Sequence, residues 1–351
     1  MTILQFIIIA LISYLVFSML FRNSYDSLII KVVIGLSYVS TAFIFACLSF
    51  RLAKWYSNNQ SFTVLLFFVV TLSIAFRIAA IFPFYESLLT EIPQIRTLES
   101  PMPDYNPNVL LNNIYGISSA VSSLLLWIST SILLRHYYDK LGKQRYYLLM
   151  AVIVASAIYS MSDFVLTPAP ESYFGDVWYW VFTAFQGLLL GVATGTPFWS
   201  ISNALKKSKN ASVSNSLLIC GFAFCMFITS GSAIIDHAPY PPFGLVAIVC
   251  MQLSAYMLFV GLYSSAISVS EDTNLRINLR KNLLEQTKFL DSIGSAEMEQ
   301  ELMKRVINIS LKESDKIQDN MGIEPSVNEE EMKQYLKEIL QEIKNKKSKI
   351  R

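Results

Sequence analysis

The sequence predicts an all-α, polytopic integral membrane bundle of about eight transmembrane helices, followed by a charged helical tail. Hydrophobic residues make up 53% of the 351 positions and charged residues only 15%, against about a quarter charged in an average soluble domain. Several apolar runs reach the roughly 18 residues needed to cross a hydrocarbon core of about 30 Å. A backbone in lipid must satisfy its own hydrogen bonds, so we expect these runs to be helices.

The bundle is expected to occupy residues 1–268. Each apolar run is separated from the next by a loop that contains charges, proline or glycine. In chain order the runs are Ile3–Phe21, Leu28–Phe50, Ser61–Phe82, Val109–Leu134, Tyr146–Thr167, Val177–Leu205, Ser216–Asp236 and Leu245–Ser268. The first has no early basic residue and no small-residue cleavage pattern, which favours a retained helix over a signal peptide. Its removal would leave seven helices with an outside N-terminus.

Lysine and arginine are distributed unevenly among the loops. The loops after the second, fourth and sixth runs carry nine basic residues and one acid, Asp139, whereas the intervening loops carry eight acids and only Arg22 and Arg96. Short loops rich in Lys and Arg remain in the cytoplasm. We therefore expect a multi-pass protein of the cell membrane with both termini cytoplasmic. The long outer loop of residues 85–108 is either a lid over a site or a solvated connection.

Residues 269–351 have a different composition from the bundle, because 15 of the 28 Lys/Arg and 16 of the 26 Asp/Glu residues fall there. We expect a cytoplasmic tail of three helical pieces. Gly294 is the expected break between the first piece (274–290) and the second (296–311). The second piece has an apolar face formed by Met298, Leu302, Val306 and Ile309.

The last piece of the tail has the clearest helical pattern. Asn328 and Glu331 form a capping pair at its start, and apolar residues then follow the i, i+3, i+4, i+7 spacing of an amphipathic helix. These residues are Met332, Tyr335, Leu336, Ile339, Leu340 and Ile343. The stripe must be buried somewhere, and three partners are open: the other tail helices, a second copy, or a cytoplasmic protein.

Three glycines, Gly187, Gly191 and Gly195, recur every fourth residue in the sixth run. Glycines four apart share one helix face and allow another helix to approach closely. No charged residue lies between Gln186 and Lys206, which argues against a hydrated pore wall, so a packing seam within the bundle is favoured. Pro197 adds a kink just beyond the seam, and motion there remains open.

Polar and ionisable residues cluster near the outer ends of the predicted spans, and the inner half carries no comparable cluster. Such residues in a membrane are functional-site candidates because their burial is costly. They are Arg77, Asp163, Gln186, Asn112, Asn113, Asp236 and His237. One interpretation is an outward-facing pocket in which Arg77 and Asp163 pair and hold a small anionic or zwitterionic ligand. The other is that these two residues pair only to bury the arginine charge.

The residue inventory argues against several classes of enzyme and partner. Only two histidines exist, His136 and His237, and they are predicted on opposite sides of the membrane. A di-haem carrier or a three-histidine zinc site would need more. The four cysteines lie in predicted helices without C-x-x-C spacing. We therefore expect no catalytic constellation, no metal and no cofactor. No nucleic-acid partner is expected either, because acids match the basic residues of the tail.

These features predict a receptor-like or sensor-like membrane protein that couples an outward-facing polar pocket to a cytoplasmic helical tail. The layout, rather than any motif, is loosely similar to that of seven-helix membrane sensors with a cytoplasmic signalling extension. Two alternatives remain open: a small-solute transporter, and a non-catalytic scaffold or accessory subunit of a membrane complex. The lipid bilayer is the one partner common to all three.

Overall fold

The computed structural model describes residues 2–22, 24–89, 95–97, 109–135, 142–165, 177–207, 211–233, 243–272, 275–276, 285–321 and 338–339. Within these ranges the fold is an all-α helical membrane bundle, as predicted. Its long helices are α1 (Thr2–Arg22), α2 (Ser27–Asn58), α3 (Phe62–Leu89), α4 (Val109–Arg135), α5 (Lys143–Val165), α6 (Val177–Lys207), α7 (Ala211–Ala233), α8 (Phe243–Glu271) and α9 (Glu285–Met321).

Each of the eight predicted spans overlaps one of the helices α1–α8. Among the described residues, five segments are long and apolar enough to cross a membrane: Lys31–Asn58, Phe62–Ala80, Gly116–Arg135, Ser212–Ser230 and Val249–Glu271. Shorter apolar segments lie on α1 (Phe6–Arg22) and α5 (Tyr146–Ala155). The membrane bundle is thus confirmed, while the number of spans, eight, stays a prediction.

The helices α2 to α8 are arranged as a ring. Each of them packs on the next in chain order, and α8 returns to contact α2. The most extensive contact is between α6 and α7, and α1 lies outside the ring against α2 and α8. α9 packs where α2 ends, α3 begins and α8 ends. We call this the tail end of the bundle, and the opposite end the far end.

Aromatic side chains fill the ring between its helices. Phe45 of α2 contacts Phe227 of α7 at 4.9 Å between ring centroids, and Phe198 of α6 stacks on Phe224 of α7 at 5.2 Å. Many other large apolar side chains, such as Phe43 and Phe76, are exposed on the outer faces. An apolar exterior is what a helix surrounded by lipid presents, so the distribution of side chains agrees with the fold class.

Serine hydroxyls join α6, α7 and α8 towards the tail end. Ser202 and Ser214 donate to each other's backbone carbonyl at 2.7 and 2.9 Å, and Ser216 bonds to Ser264 at 3.2 Å. Interhelical hydrogen bonds of this kind stabilise helix association in a membrane, where the hydrophobic effect does not drive helices together because lipid is itself apolar.

The helix α2 is longer than the sequence predicted. Its expected end was Phe50, but the helix continues for two more turns to Asn58, so Arg51 and Lys54 lie on a helix and not in a loop. Leu52 and Trp55 in the added turns are fully buried. The prediction ended the helix at Arg51 because this residue is charged. In the structure α9 packs on the turns that follow, so these turns are buried and remain helical.

The expected break at Gly294 is wrong, because α9 runs unbroken through this glycine. Gly294 lies so close to α8 that a Cβ atom would overlap the side chain of Val269. Its role in the structure is close packing. Three residues of the expected apolar face, Leu302, Val306 and Ile309, are exposed.

A small strand pair complements the helices. β1 (Ser24–Asp26) pairs antiparallel with β2 (Ile95–Thr97), with Tyr25 opposite Arg96. The prediction placed Arg96 in an irregular outer loop and did not foresee this pairing. Asp26 then caps α2 by accepting a hydrogen bond from the backbone N–H of Leu28 at 2.9 Å, as N-cap carboxylates do.

Candidate functional site

The predicted outer cluster is only partly within the described residues. Arg77 is half-buried on α3 and takes part in an interaction there. Asn113 is exposed on the first turns of α4. Asn112 and Asp163 lie on α4 and α5, but their side chains are outside the described set, as are Asp236 and His237 entirely. The pairing of Arg77 with Asp163 therefore stays a prediction.

Gln186 lies at the far end of the α6–α7 contact. Its side-chain oxygen is buried and has no hydrogen-bond partner among the described residues. One position along, the carbonyl of Gly187 accepts a 3.4 Å hydrogen bond from the hydroxyl of Thr229 on α7. A buried acceptor without a partner is costly, so the surroundings of Gln186 favour a polar ligand.

The glycine face of α6 lies against α7. A Cβ atom on Gly191 would be 2.6 Å from the carbonyl oxygen of Cys225, and one on Gly195 would be 2.7 Å from the carbonyl oxygen of Gly221. Both distances are below any normal carbon–oxygen contact, so a larger residue would force the two backbones apart. α6 and α7 therefore meet backbone to backbone along this face.

A groove of about 260 Å³ lies between α3 and α4 and opens on the outer face of the bundle. Its lining is almost entirely apolar and consists of Ser73, Phe76, Ile114, Ile117, Ser118 and Val121. The Ser73 hydroxyl is already donated to the carbonyl of Val70 in its own helix. The groove thus offers contacts to an apolar chain.

Among the described residues the strongest polar constellation is at the tail end, and we call it the tail-end cluster. It consists of Arg51 and Trp55 of α2, Tyr263 of α8 and Glu297 of α9. Arg51 donates through Nη2 to both carboxylate oxygens of Glu297, at 2.5 and 2.7 Å, and Trp55 donates through Nε1 at 2.8 Å. Only 20% of the Arg51 side chain and 11% of the Glu297 side chain are exposed, so this is a largely buried ion pair.

Two aromatic rings flank the guanidinium of Arg51. Its central carbon lies 4.9 Å from the ring centroid of Tyr263 and 5.8 Å from that of Trp55, both within the usual cation–π range of about 6 Å. Arg51 and Trp55 are four residues apart on α2, so they share one helix face. The rings screen the charge from solvent and leave the guanidinium directed at α9.

Two side-chain amides extend the interface on one side of the ion pair. The Asn58 amide donates to the carbonyl of Ala296 at 3.4 Å, and the Asn59 amide donates to the carbonyl of Ser292 at 3.3 Å. Asn59 is the C-cap of α2: its N–H still bonds to the carbonyl of Trp55 at 2.9 Å, but its own backbone is extended. The last turn of α2 therefore binds α9 along nearly two turns.

An aromatic chain links α9 to the centre of the ring. Phe289 of α9 contacts Phe67 of α3 at 4.9 Å, and Phe67 contacts Phe198 of α6 at 6.1 Å between ring centroids. Phe198 in turn stacks on Phe224 of α7. Phe289 thus connects the tail helix to the aromatic side chains that pack between α3, α6 and α7.

Two polar groups near the ion pair have buried atoms without hydrogen-bond partners among the described residues. One is the Nε atom of Arg51, which the carboxylate of Glu297 leaves unpaired. The other is the side-chain amide of Gln300, one turn beyond Glu297 on α9, whose nitrogen and oxygen are both unpaired. Arg51 and Gln300 therefore both have hydrogen-bonding groups that the docked form does not use.

The described part of the chain holds no group of three or more His, Cys, Asp and Glu side chains that could bind a metal ion. Comparisons of the chain with protein-family models, with curated proteins and with solved structures found no match. The function must therefore be argued from the arrangement of the side chains themselves.

Sequence reasoning missed the tail-end cluster and treated the inner half as having no comparable site. Arg51 was noted only as one of nine basic loop residues. Its partner Glu297 is 246 positions away among the many acids of the tail, and no spacing rule connects them. The one local signal was the pair Arg51 and Trp55 at four-residue spacing beside an apolar run.

The docking stripe predicted for the end of the tail lies almost entirely outside the described residues. Only Ile339 of this stripe is described, in a helical pair with Glu338, and it is half-buried. Met332, Tyr335, Leu336, Leu340 and Ile343 are not described. Partner docking through this stripe stays a prediction.

Proposed function

We propose that this membrane protein acts as a sensor-like coupling device, in which the packing of the bundle determines whether the tail helix α9 is docked at the tail end or released. The observation that carries the proposal is the docking of α9 through the largely buried ion pair of Arg51 and Glu297. A released tail would present the face of α9 that contains Phe289, Leu290 and Ile293, all fully buried in the docked form.

A docking contact of this chemistry is suited to a reversible switch. Taking two charges out of water costs free energy that the ion pair only partly returns. The pair therefore adds specificity of position more than strength. Docking also depends on apolar contacts such as Phe289 with Phe67. The docked and released forms can then be close in free energy, which a two-state switch requires.

The connection to the bundle runs through α6. Phe198 follows Pro197, which lies inside α6, and Phe198 contacts the same Phe67 ring that holds Phe289. A shift of α6 along its contact with α7 would move Phe198 and alter the seat of the tail helix. The partnerless oxygen of Gln186 at the far end of the same helix is where a ligand would act.

Spin labels can measure the fraction of molecules in which α9 is docked. We would place them at Ser57→Cys and Lys304→Cys, both exposed positions, in full-length protein whose four native cysteines are replaced. In the proposed mechanism Gly191→Ala, which pushes α7 away from α6, changes the distribution of label distances. Val192→Ala, at an exposed neighbouring position, is the matched control and should leave the distribution unchanged.

A second substitution guards against an effect of misfolding. Gln186→Leu keeps a similar side-chain volume, removes the buried oxygen without a partner, and should also shift the docked fraction while size-exclusion behaviour stays normal. If neither Gly191→Ala nor Gln186→Leu alters the label distances, the tail is a fixed structural element and the sensor-like function is wrong.

A second candidate function is a scaffold, and one observation favours it. Leu302, Val306 and Ile309 form an exposed apolar stripe on α9, which would suit a helical partner. Copurification of full-length protein should then recover a partner that Val306→Lys and Ile309→Lys abolish. An unchanged partner list with these variants would remove this candidate.

A further inference from the structure

We propose that Arg51, Trp55 and Tyr263 form a binding site for a phosphate oxyanion, and that phosphate competes with Glu297 for this site and so releases α9. The inference rests on the proposed function, since it names the ligand class that regulates the docking of the tail. It concerns the tail end and is independent of any ligand at Gln186.

The donors of the site are already directed at one anion. Arg51 Nη2 and Trp55 Nε1 both donate to the carboxylate of Glu297, at 2.5 to 2.8 Å. Charge-assisted donors that hold a carboxylate hold a phosphate by the same chemistry, and arginine is the residue best suited to both. When Glu297 leaves with the tail, these donors and the two flanking rings remain on α2 and α8.

Phosphate fits the donors more completely than the carboxylate does. Both oxygens of Glu297 are bonded to Nη2, one of them also to Trp55, and Arg51 Nε is left buried without a partner. A phosphate group has further oxygens in a tetrahedral arrangement. It can accept from Nε and Nη2 side by side and still accept from Trp55. The unused donor is therefore a hydrogen bond that a free phosphate can gain and that the Glu297 carboxylate, as α9 holds it, does not make.

A second basic residue lies beside the site on the bundle. Lys54 is exposed one turn beyond Arg51 on α2. Glu297, the acid that neutralises Arg51, belongs to the tail helix and departs with it. Release of α9 thus uncovers positive charge, which attracts an anion to the vacated site.

The depth of the site allows two sources of phosphate. Arg51 lies seven residues from the end of the apolar segment Lys31–Asn58, which is about 10 Å along a helix. The whole segment has 28 residues and is about 42 Å long, roughly 12 Å longer than the hydrocarbon core, so its last turns can extend into the headgroup layer. The phosphate of a lipid headgroup and a free phosphate compound can both reach such a position, and the experiment must separate them.

The test uses full-length protein in phosphatidylcholine nanodiscs with the spin labels at Ser57→Cys and Lys304→Cys. One arm adds sodium phosphate, with sodium chloride at equal ionic strength as control. The other replaces part of the lipid by phosphatidic acid, with oleate as an anionic control without phosphate. We expect at least one phosphate source to lower the ratio of docked to released molecules by about tenfold, within the range typical of coupled sites.

Variants assign the effect to Arg51. The double variant Arg51→Gln and Glu297→Gln replaces the ion pair by two neutral amides that can still bond, so its tail should dock but no longer respond to phosphate. The single variant Glu297→Gln removes the competing carboxylate and should bind inorganic phosphate more tightly than the wild type does. Lys54→Gln should keep the response with a weaker apparent affinity.

Three outcomes would overturn the proposal: no response of the wild type to either phosphate source, an equal response of the double variant, or equal effects of oleate and phosphatidic acid. A response in the phosphate arm alone identifies a free compound, and one in the phosphatidic acid arm alone identifies the headgroup. The Gly191→Ala experiment on the bundle is read separately, so failure here leaves the proposed coupling itself intact.

Discussion

At the residue scale, docking of the tail requires that Arg51 and Glu297 compensate each other's charge. Removing one partner of a buried pair leaves the other charge without compensation and costs about 3–5 kcal/mol. We therefore expect Glu297→Ala to release α9, which hydrogen exchange detects as faster exchange of the backbone amides of residues 289–300. Replacing both partners, as in Arg51→Met with Glu297→Leu, should restore much of the protection because no charge is left unpaired.

The pair formed by Glu301 and Arg305 on the same helix serves as the control. It has the same chemistry at 2.8 Å, but 45% and 70% of the two side chains are exposed, and exposed pairs contribute only about 0–1 kcal/mol. Arg305→Ala should leave the exchange of residues 289–300 nearly unchanged. If Glu297→Ala and Arg305→Ala changed the exchange rates equally, the buried ion pair would be no more important for docking than the exposed one.

The glycines of α6 give a second prediction at this scale. Gly195→Ala places a methyl group 2.7 Å from the carbonyl oxygen of Gly221, and the backbone cannot yield as a flexible side chain would. We expect a loss of about 1–3 kcal/mol, the usual cost of overpacking, seen as a lower melting temperature in detergent. Val192→Ala on the exposed face is the comparison, and a normal melting temperature for Gly195→Ala would contradict the close approach of α6 and α7.

At the element scale, α9 shows how packing overrides local preference. Glycine lowers helix stability by about 1 kcal/mol relative to alanine, so Gly294→Ala favours the helix itself. In the structure, however, a Cβ atom at this position overlaps Val269. We expect Gly294→Ala to lower the docked fraction measured with spin labels at Ser57→Cys and Lys304→Cys. A docked fraction equal to or above that of the wild type would mean that helix propensity wins.

The same helix shows what sequence reasoning can and cannot predict. The positions of α1–α8 followed from the apolar runs, because a run of about 20 apolar residues is a local pattern that indicates a helix in lipid. The break expected at Gly294 and the end expected at Phe50 were wrong for one reason. Both depend on a contact between segments that are far apart in sequence: Gly294 with Val269, and the last turns of α2 with α9.

The candidate sites also differ in whether the sequence could predict them. The glycine face could be predicted, because four-residue spacing is a local property of one helix. The ion pair of Arg51 and Glu297 could not, because an arginine beside a span is common and sixteen acids in the tail are equivalent in sequence. Only the fold selects Glu297 from among them.

At the scale of the whole molecule, the distribution of charge predicts how the bundle is oriented. The loops and helix ends at the tail end include Arg51, Lys54, Lys143 and Lys206, and basic residues next to spans are retained in the cytoplasm. We therefore expect the tail end to face the cytoplasm and the far end to face outward. Single cysteines at two exposed positions, Ser57→Cys at the tail end and Asn113→Cys at the far end, test this in a background without native cysteines.

A membrane-impermeant maleimide should label Asn113→Cys in intact cells and Ser57→Cys only after permeabilisation. The reverse pattern would put α9 outside the cell and would exclude cytoplasmic signalling through the tail. Labelling of both sites in intact cells would show a mixed orientation, which the strong asymmetry of charge argues against. Because Ser57 is two residues from Trp55 of the tail-end cluster, its labelling also reports directly which aqueous compartment can supply phosphate to Arg51.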